Sequence, residues 1–149
     1  KYRGGKDIGY ALGKLYGSYL KDSSFTEGVD VLVPVPLHPQ RLKQRGYNQS
    51  EFIARGISEA TGIPVSVTML SRVHATNTQT DRGRFERWEN VEGLFAVSAQ
   101  EAVTGRHVLI VDDVITTGST LEACASALLA CSGVKVSVVA LAVSQKLTI

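Results

Sequence analysis

The aliphatic run Val108-Leu109-Ile110-Val111 ends on two adjacent carboxylates, Asp112 and Asp113, and no other stretch of the chain constrains the fold as strongly. An uninterrupted apolar run of this length predicts a strand buried on both faces, the pattern of a parallel sheet covered by helices. After Val114 and Ile115 the sequence reads Thr116-Thr117-Gly118-Ser119-Thr120, and then Leu121, Cys124, Ala125, Leu128 and Leu129 recur on one helical face. A strand, a hydroxyl-rich turn and a helix start thus follow in quick succession. At such a turn the unpaired amides and the helix dipole favour an anion. Ser119 and Glu122 have capping-box spacing, which predicts the helix start beside the turn.

The residue types fit a phosphorylated sugar. Ionised carboxylates only accept hydrogen bonds, so a carboxylate pair at a strand end suits a vicinal diol, which offers two O–H donors. A phosphate needs donors, and the five small residues Thr116 to Thr120 supply amides and hydroxyls without blocking its approach. Each charge-assisted bond contributes roughly 1.5–3 kcal/mol. Neither of the two common glycine-rich phosphate motifs, G-x-x-x-x-G-K-[ST] and G-x-G-x-x-G, occurs in the chain.

A second strand, Val31-Leu32-Val33, runs into a segment rich in proline and basic residues. Pro34 removes a ladder donor and ends the strand, and Arg41, Lys43 and Arg45 follow with no acidic residue among them. Asn48 then has the place of an N-cap with Glu51 three residues on. The helix it opens turns Phe52, Ile53, Ile57 and Ala60 inward and closes at Gly62. In a doubly wound sheet both loops fall on the same edge, the edge where ligands bind.

Two stretches carry a resemblance. VLIVDDVITTGST resembles the phosphoribosyl pyrophosphate (PRPP) signature of type I phosphoribosyltransferases, and VPVPLHPQRLKQRGYNQSEF is similar to the hallmark of the ComF branch, named for competence proteins. The resemblance implies that Asp112 and Asp113 meet the ribose hydroxyls, and that Thr116, Thr117, Gly118, Ser119 and Thr120 wrap the 5′-phosphate. It implies that Arg41, Lys43 and Arg45 serve the pyrophosphate. It further implies a flexible catalytic loop over Ser71 to Glu92, with Arg87 as its acting residue and Thr78, Gln79 and Asn90 matching the ComF block. Mg²⁺ is the implied cofactor, held indirectly by Asp112 and Asp113 through ribose or water. The four-Cys zinc module found upstream in many ComF proteins is absent from this sequence.

The remaining chain supplies the frame. From Asp7 to Leu20, Ile8, Leu12, Leu15, Tyr16 and Tyr19 recur at helical spacing, which predicts an amphipathic helix lying on the sheet. Pro64 to Leu70 and Gly93 to Val97 read as short strands, Ala99 to Val103 as a turn or short helix, and Val134 to Val143 as the last strand. Ser71 to Glu92 has no clean period, as expected of a functional lid, with Phe85 and Trp88 its apolar residues. Cys124 and Cys131 are seven apart on the predicted helix, roughly 10 Å along its axis, too far to pair, so they read as core packing. His38, His74 and His107 fit no catalytic or metal spacing.

With 149 residues, 44% of them hydrophobic, one domain over residues 1–149 is expected. The expected fold is α/β: three layers, α/β/α, with a mainly parallel sheet of about five strands. A net charge of +2 is too small to argue for nucleic acid or membrane by itself, and no apolar stretch spans a bilayer, so a cytoplasmic protein is expected. The expected function is Mg-dependent transfer of a phosphoribosyl group from PRPP to an unidentified nucleophile, with release of pyrophosphate, in nucleotide metabolism. Two other readings are a PRPP-binding regulator or DNA-uptake accessory without catalysis, and a nucleic-acid module resting on the basic loops. Expected partners are PRPP or another phosphorylated ribose, the acceptor and the DNA-uptake machinery; a homodimer is compatible with all of these.

Overall fold

A computed structural model describes residues 3–73 and 93–144. In chain order these form α1 (Arg3–Lys21), β1 (Val31–Pro34), α2 (Pro39–Arg45), α3 (Gln49–Thr61), β2 (Leu70–Arg72), β3 (Phe95–Val97), α4 (Gln100–Val103), β4 (His107–Ile115), α5 (Ser119–Leu129) and β5 (Lys135–Val143). The α/β class is as expected. The strands divide, however, into a three-stranded parallel sheet, β1-β4-β5, and a separate antiparallel pair, β2-β3.

Strand alternation sorts the aliphatic residues onto two faces. Val31, Val33, Val108 and Ile110 pack with Leu121, Cys124 and Leu128 of α5 and with Phe95. Leu32, Leu109, Val111 and Val139 pack with Ile53, Ala54 and Ile57 of α3. Helices therefore cover both faces, and the central strand β4 is fully buried from Val108 to Val111. Parallel pairing aligns Pro34 with Val111, and the Val35 amide extends the contact to the Val111 carbonyl at 2.9 Å. The loops that follow β1 and β4 therefore emerge side by side.

Two expectations about the N-terminal half are corrected. Helix α1 does not lie on the sheet with its large apolar residues inward. Ile8, Leu12, Leu15 and Tyr19 are exposed, and Gly9, Gly13 and Gly17 face inward against α3. A Cβ on Gly13 would overlap the Ile53 carbonyl, and one on Gly56 of α3 would overlap the Tyr10 carbonyl. The two backbones meet without side chains between them, and that closeness turns the bulky residues of α1 outward. The second correction concerns Pro64 to Leu70. Only Val65 bridges to Leu32 there, while the strand itself begins at Leu70 and pairs with β3. Pro64 withholds a ladder donor, and its carbonyl accepts the Leu32 amide at 2.8 Å.

Both cysteines are free and buried, in line with a packing role. His74, Thr78, Gln79, Phe85, Arg87, Trp88 and Asn90, and with them most of the expected lid, lie outside the described residues.

Candidate functional site

β4 carries its buried run to the sheet edge, and Asp112 and Asp113 sit where that burial relaxes. Two donors hold one oxygen of Asp112: the Ser50 hydroxyl at 3.1 Å and the Asp113 amide at 2.9 Å both reach Oδ1. Asp113 Oδ1 in turn accepts the Val114 amide at 2.8 Å. Among the described residues no donor reaches the second oxygen of either carboxylate, and the two side chains bear on each other. Partial burial pushes the Asp112 carboxyl up to about 6, against the pull of the Asp113 amide and with the Asp113 charge adding to the rise. Burial and the nearby Asp112 charge push the Cys124 thiol up to about 12, so it stays protonated and is no nucleophile.

The turn after β4 differs from the capping box expected of it. Gly118, not Ser119, is the N-cap of α5; it stands at φ 83°, and no side chain caps the helix. Ser119 and Thr117 instead share a hydroxyl hydrogen bond at 3.0 Å. A left-handed residue at this point suits glycine, since other side chains rarely adopt it. The Ser119 amide reaches the Thr117 hydroxyl at 3.4 Å. Thr116, Thr117, Gly118 and Thr120 enclose with Asp112 a niche of about 30 Å³.

Across the edge, the segment read as a basic loop contains a short helix. His38 accepts the Gln40 amide on Nδ1 at 3.2 Å and caps α2, which Gly46 closes. His38 is therefore not incidental: it starts this helix. The one-turn spacing along α2 sends Arg41 and Arg45 one way. Both line a cavity of about 270 Å³ whose other walls are Asp112, Asp113, Thr116 and Thr120. Lys43, on the same helix, is not among the lining residues, and neither is Ser119.

Arg72 and Ser50 also line this cavity; sequence reasoning did not assign Ser50 to the site and placed Arg72 within the expected lid from Ser71 to Glu92, whereas the structure makes it the end of strand β2. Arg72 ends β2 and lies over the Phe95 ring, 5.6 Å from its centroid. With Arg41 and Thr120 it borders a wider basin of about 400 Å³ completed by His38 and Gln40. Among the described residues the two ion pairs are Lys14 with Glu59 and Arg55 with Glu51, so Arg41, Arg45 and Arg72 carry uncompensated charge into the cleft. An apolar hollow of about 330 Å³ beside α2, lined by Pro34, Pro39, Leu42, Val67 and Leu70, shares Pro36, Leu37 and Arg72 with the cavity and does not include Asp112 or Asp113.

Acidic and basic walls facing each other over a hydroxyl-lined niche are a site for a molecule that is both polyol and polyanion. The Phosphoribosyl transferase domain family matches residues 22–147, most of the chain. The chain belongs to that family. Within the phosphoribosyltransferases it sides with the ComF group. It is 36% identical to competence protein F of Haemophilus influenzae over 62% of this chain and 41% of that protein. It is 33% identical to the DNA utilization protein YhgH of Escherichia coli K12 over 87% of this chain and 57% of that one. The chain thus spans about half the length of these curated relatives. Among solved phosphoribosyltransferase folds, glutamine PRPP amidotransferase of B. subtilis, complexed with ADP and GMP, aligns at a TM-score of 0.58 and 26% identity, over 88% of this chain and 26% of its own. The purine phosphoribosyltransferase of Pyrococcus horikoshii aligns at 0.54 and 17% identity over 93% and 74%, a likeness of fold.

The free oxygens of Asp112 and Asp113 form a hard, oxygen-only donor set of the kind Mg²⁺ accepts. Among the described residues no three metal-binding side chains gather. No helix among the described residues is long and apolar enough to cross a membrane.

Proposed function

We propose that the cleft binds PRPP and that the chain transfers its phosphoribosyl group to an acceptor nucleophile. The observation that carries this reading is the meeting of Asp112 and Asp113 with Arg41, Arg45 and Arg72 around one cavity bordered by the Thr116 to Thr120 turn. In this reading the free carboxylate oxygens accept the ribose hydroxyls. Amides and hydroxyls of Thr116 to Gly118 and of Thr120 donate to the 5′-phosphate. The arginines neutralise the pyrophosphate as the bond from C1 to its oxygen breaks and a bond from C1 to the acceptor forms; the acceptor's proton leaves to solvent. Preorganised charge of this kind lowers the barrier because it needs no rearrangement when the leaving group develops. Mg²⁺, held by Asp112 and Asp113 through substrate or water oxygens, supplies charge to the pyrophosphate when bound.

A binding role without turnover is the second reading. It is favoured by the relatives, whose names speak of competence and DNA utilization. Both readings predict heat on titrating PRPP with Mg²⁺ into the protein, and a calorimetric trace flat at millimolar PRPP removes both. Pyrophosphate release in the presence of candidate acceptors then separates them.

A further inference from the structure

Ser50 is the one polar residue among the described ones that is buried, with 4% of its surface exposed. It occupies the first turn of α3, and its surroundings form a continuous path across the sheet edge. The Asn48 amide group donates to the Val35 carbonyl at 2.9 Å, tying the start of α3 to the loop after β1. The Ser50 amide donates back to Asn48 Oδ1 at 3.2 Å. The Ser50 hydroxyl then donates to Asp112 Oδ1, the same oxygen that takes the Asp113 amide.

A carboxylate oxygen with two donors in place is well occupied, and turning the carboxylate out of this plane would break both contacts. Asp112 is thus held in one plane, with its other oxygen left for a ligand. An Asp at the end of a strand with neither bond would swing its carboxylate plane over a broad range. Hydrogen bonds to a charged group contribute roughly 1.5–3 kcal/mol, so the hydroxyl is strong enough to select one orientation. Burial protects that bond from competing water.

We propose that Ser50 is a positioning residue: it fixes the plane in which the Asp112 carboxylate meets the sugar, and so makes the cleft demand a hydroxyl at one specific ribose carbon. This deepens the PRPP reading and rests on it. A hydroxyl missing opposite a fixed, partly desolvated acceptor leaves that acceptor unpaired, which is a large penalty. Opposite a carboxylate free to turn toward solvent, the same deletion costs little.

The test compares ribose 5-phosphate with its 2-deoxy and 3-deoxy analogues on the parent, Ser50→Ala and Ser50→Thr by calorimetry, with melting temperature as the folding control. The parent is expected to bind ribose 5-phosphate and to disfavour both analogues. Ser50→Ala is expected to bind ribose 5-phosphate about tenfold more weakly, one missing bond of this strength, and to lose discrimination against one analogue while keeping it against the other. Ser50→Thr, which keeps the hydroxyl, is expected to restore that discrimination. A purely structural role would lower affinity for all three sugars together. If Ser50→Ala keeps the parent's full discrimination, or weakens all three ligands equally, the assignment is overturned. If the parent binds PRPP yet none of the three, the sugar-selecting role is overturned; if it binds neither PRPP nor any of the three, the PRPP reading itself fails.

Discussion

The two walls of the cleft are built on opposite terms. On the β4 side, Asp112 and Asp113 grow out of the most deeply buried strand, and each has one oxygen already committed to a neighbour within the fold. On the α2 side, Arg41 and Arg45 stand on a seven-residue helix with no buried residue of its own, and no carboxylate among the described residues forms an ion pair with them. The acidic wall is preorganised and short in reach; the basic wall is exposed and acts at a distance. In the PRPP reading the difference divides the labour: the first wall selects the sugar, and the second sets how strongly a polyanion is drawn in.

Removing the charge from the acidic wall is expected to have the largest effect. Asp112→Asn with Asp113→Asn replaces two ionised acceptors with amides, and with each bond to a charged group contributing roughly 1.5–3 kcal/mol, PRPP affinity is expected to fall by about a hundredfold or more in calorimetry. A double variant that binds PRPP like the parent breaks the assignment of this wall to the diol.

The basic wall is expected to respond less, and in a salt-dependent way. Arg41→Ala with Arg45→Ala is expected to weaken PRPP by about tenfold at low ionic strength, with the gap narrowing as salt rises past roughly 0.15 M, where screening sets in within about 8 Å. Lys43→Ala, on the same helix but off the cavity lining, serves as the internal control and is expected to change affinity by less than about twofold, the scale of an exposed charge. An equal loss from Lys43→Ala would show that α2 contributes a diffuse field and not two directed guanidiniums.

The smallest expected effect is on stability, and its sign sharpens the contrast. The Asp112 carboxyl is raised from 3.8 to about 6 by burial. Between those values the folded chain holds a proton that the unfolded chain has released, so stability falls as pH rises through the window and the loss is complete above it. Asp112→Asn carries no such charge. The single variant is therefore expected to melt a few degrees above the parent at pH 8 and level with it at pH 4, while still binding PRPP poorly. Equal melting temperatures at both pH values would mean that the carboxylate is hydrated, and the acidic wall less preorganised than its hydrogen bonds imply.

Legibility followed the same division. The acidic wall was readable because its signal is local: an aliphatic run, two carboxylates, a glycine turn and a helical face within one stretch of sequence. Arg41 and Arg45 were readable as charges, but their separation from Lys43 depends on α2 being a helix, whose start rests on a histidine cap and whose end rests on Gly46. Arg72 was hidden because its strand has three residues and pairs with one more than twenty positions away. Ser50 was hidden for another reason: its partner lies 62 residues downstream, and nothing near it in sequence announces a buried hydroxyl. In α1 the usual rule pointed the wrong way. Large apolar residues at helical spacing mark a buried face in most helices, yet here Gly9, Gly13 and Gly17, every fourth residue, marked it instead.

Those glycines make α1 a helix on loan. Each costs roughly 1 kcal/mol of intrinsic helicity relative to alanine, so the segment has little tendency to coil by itself and holds its shape because α3 lies against it. The two helices consequently open and close as one cooperative unit. The far end of that unit is the turn from Asn48 to Ser50, fastened to the sheet edge by its hydrogen bonds to Val35 and Asp112. Steadying the Asp112 end of the cleft therefore slows the breathing of a helix that contributes no residue to its lining.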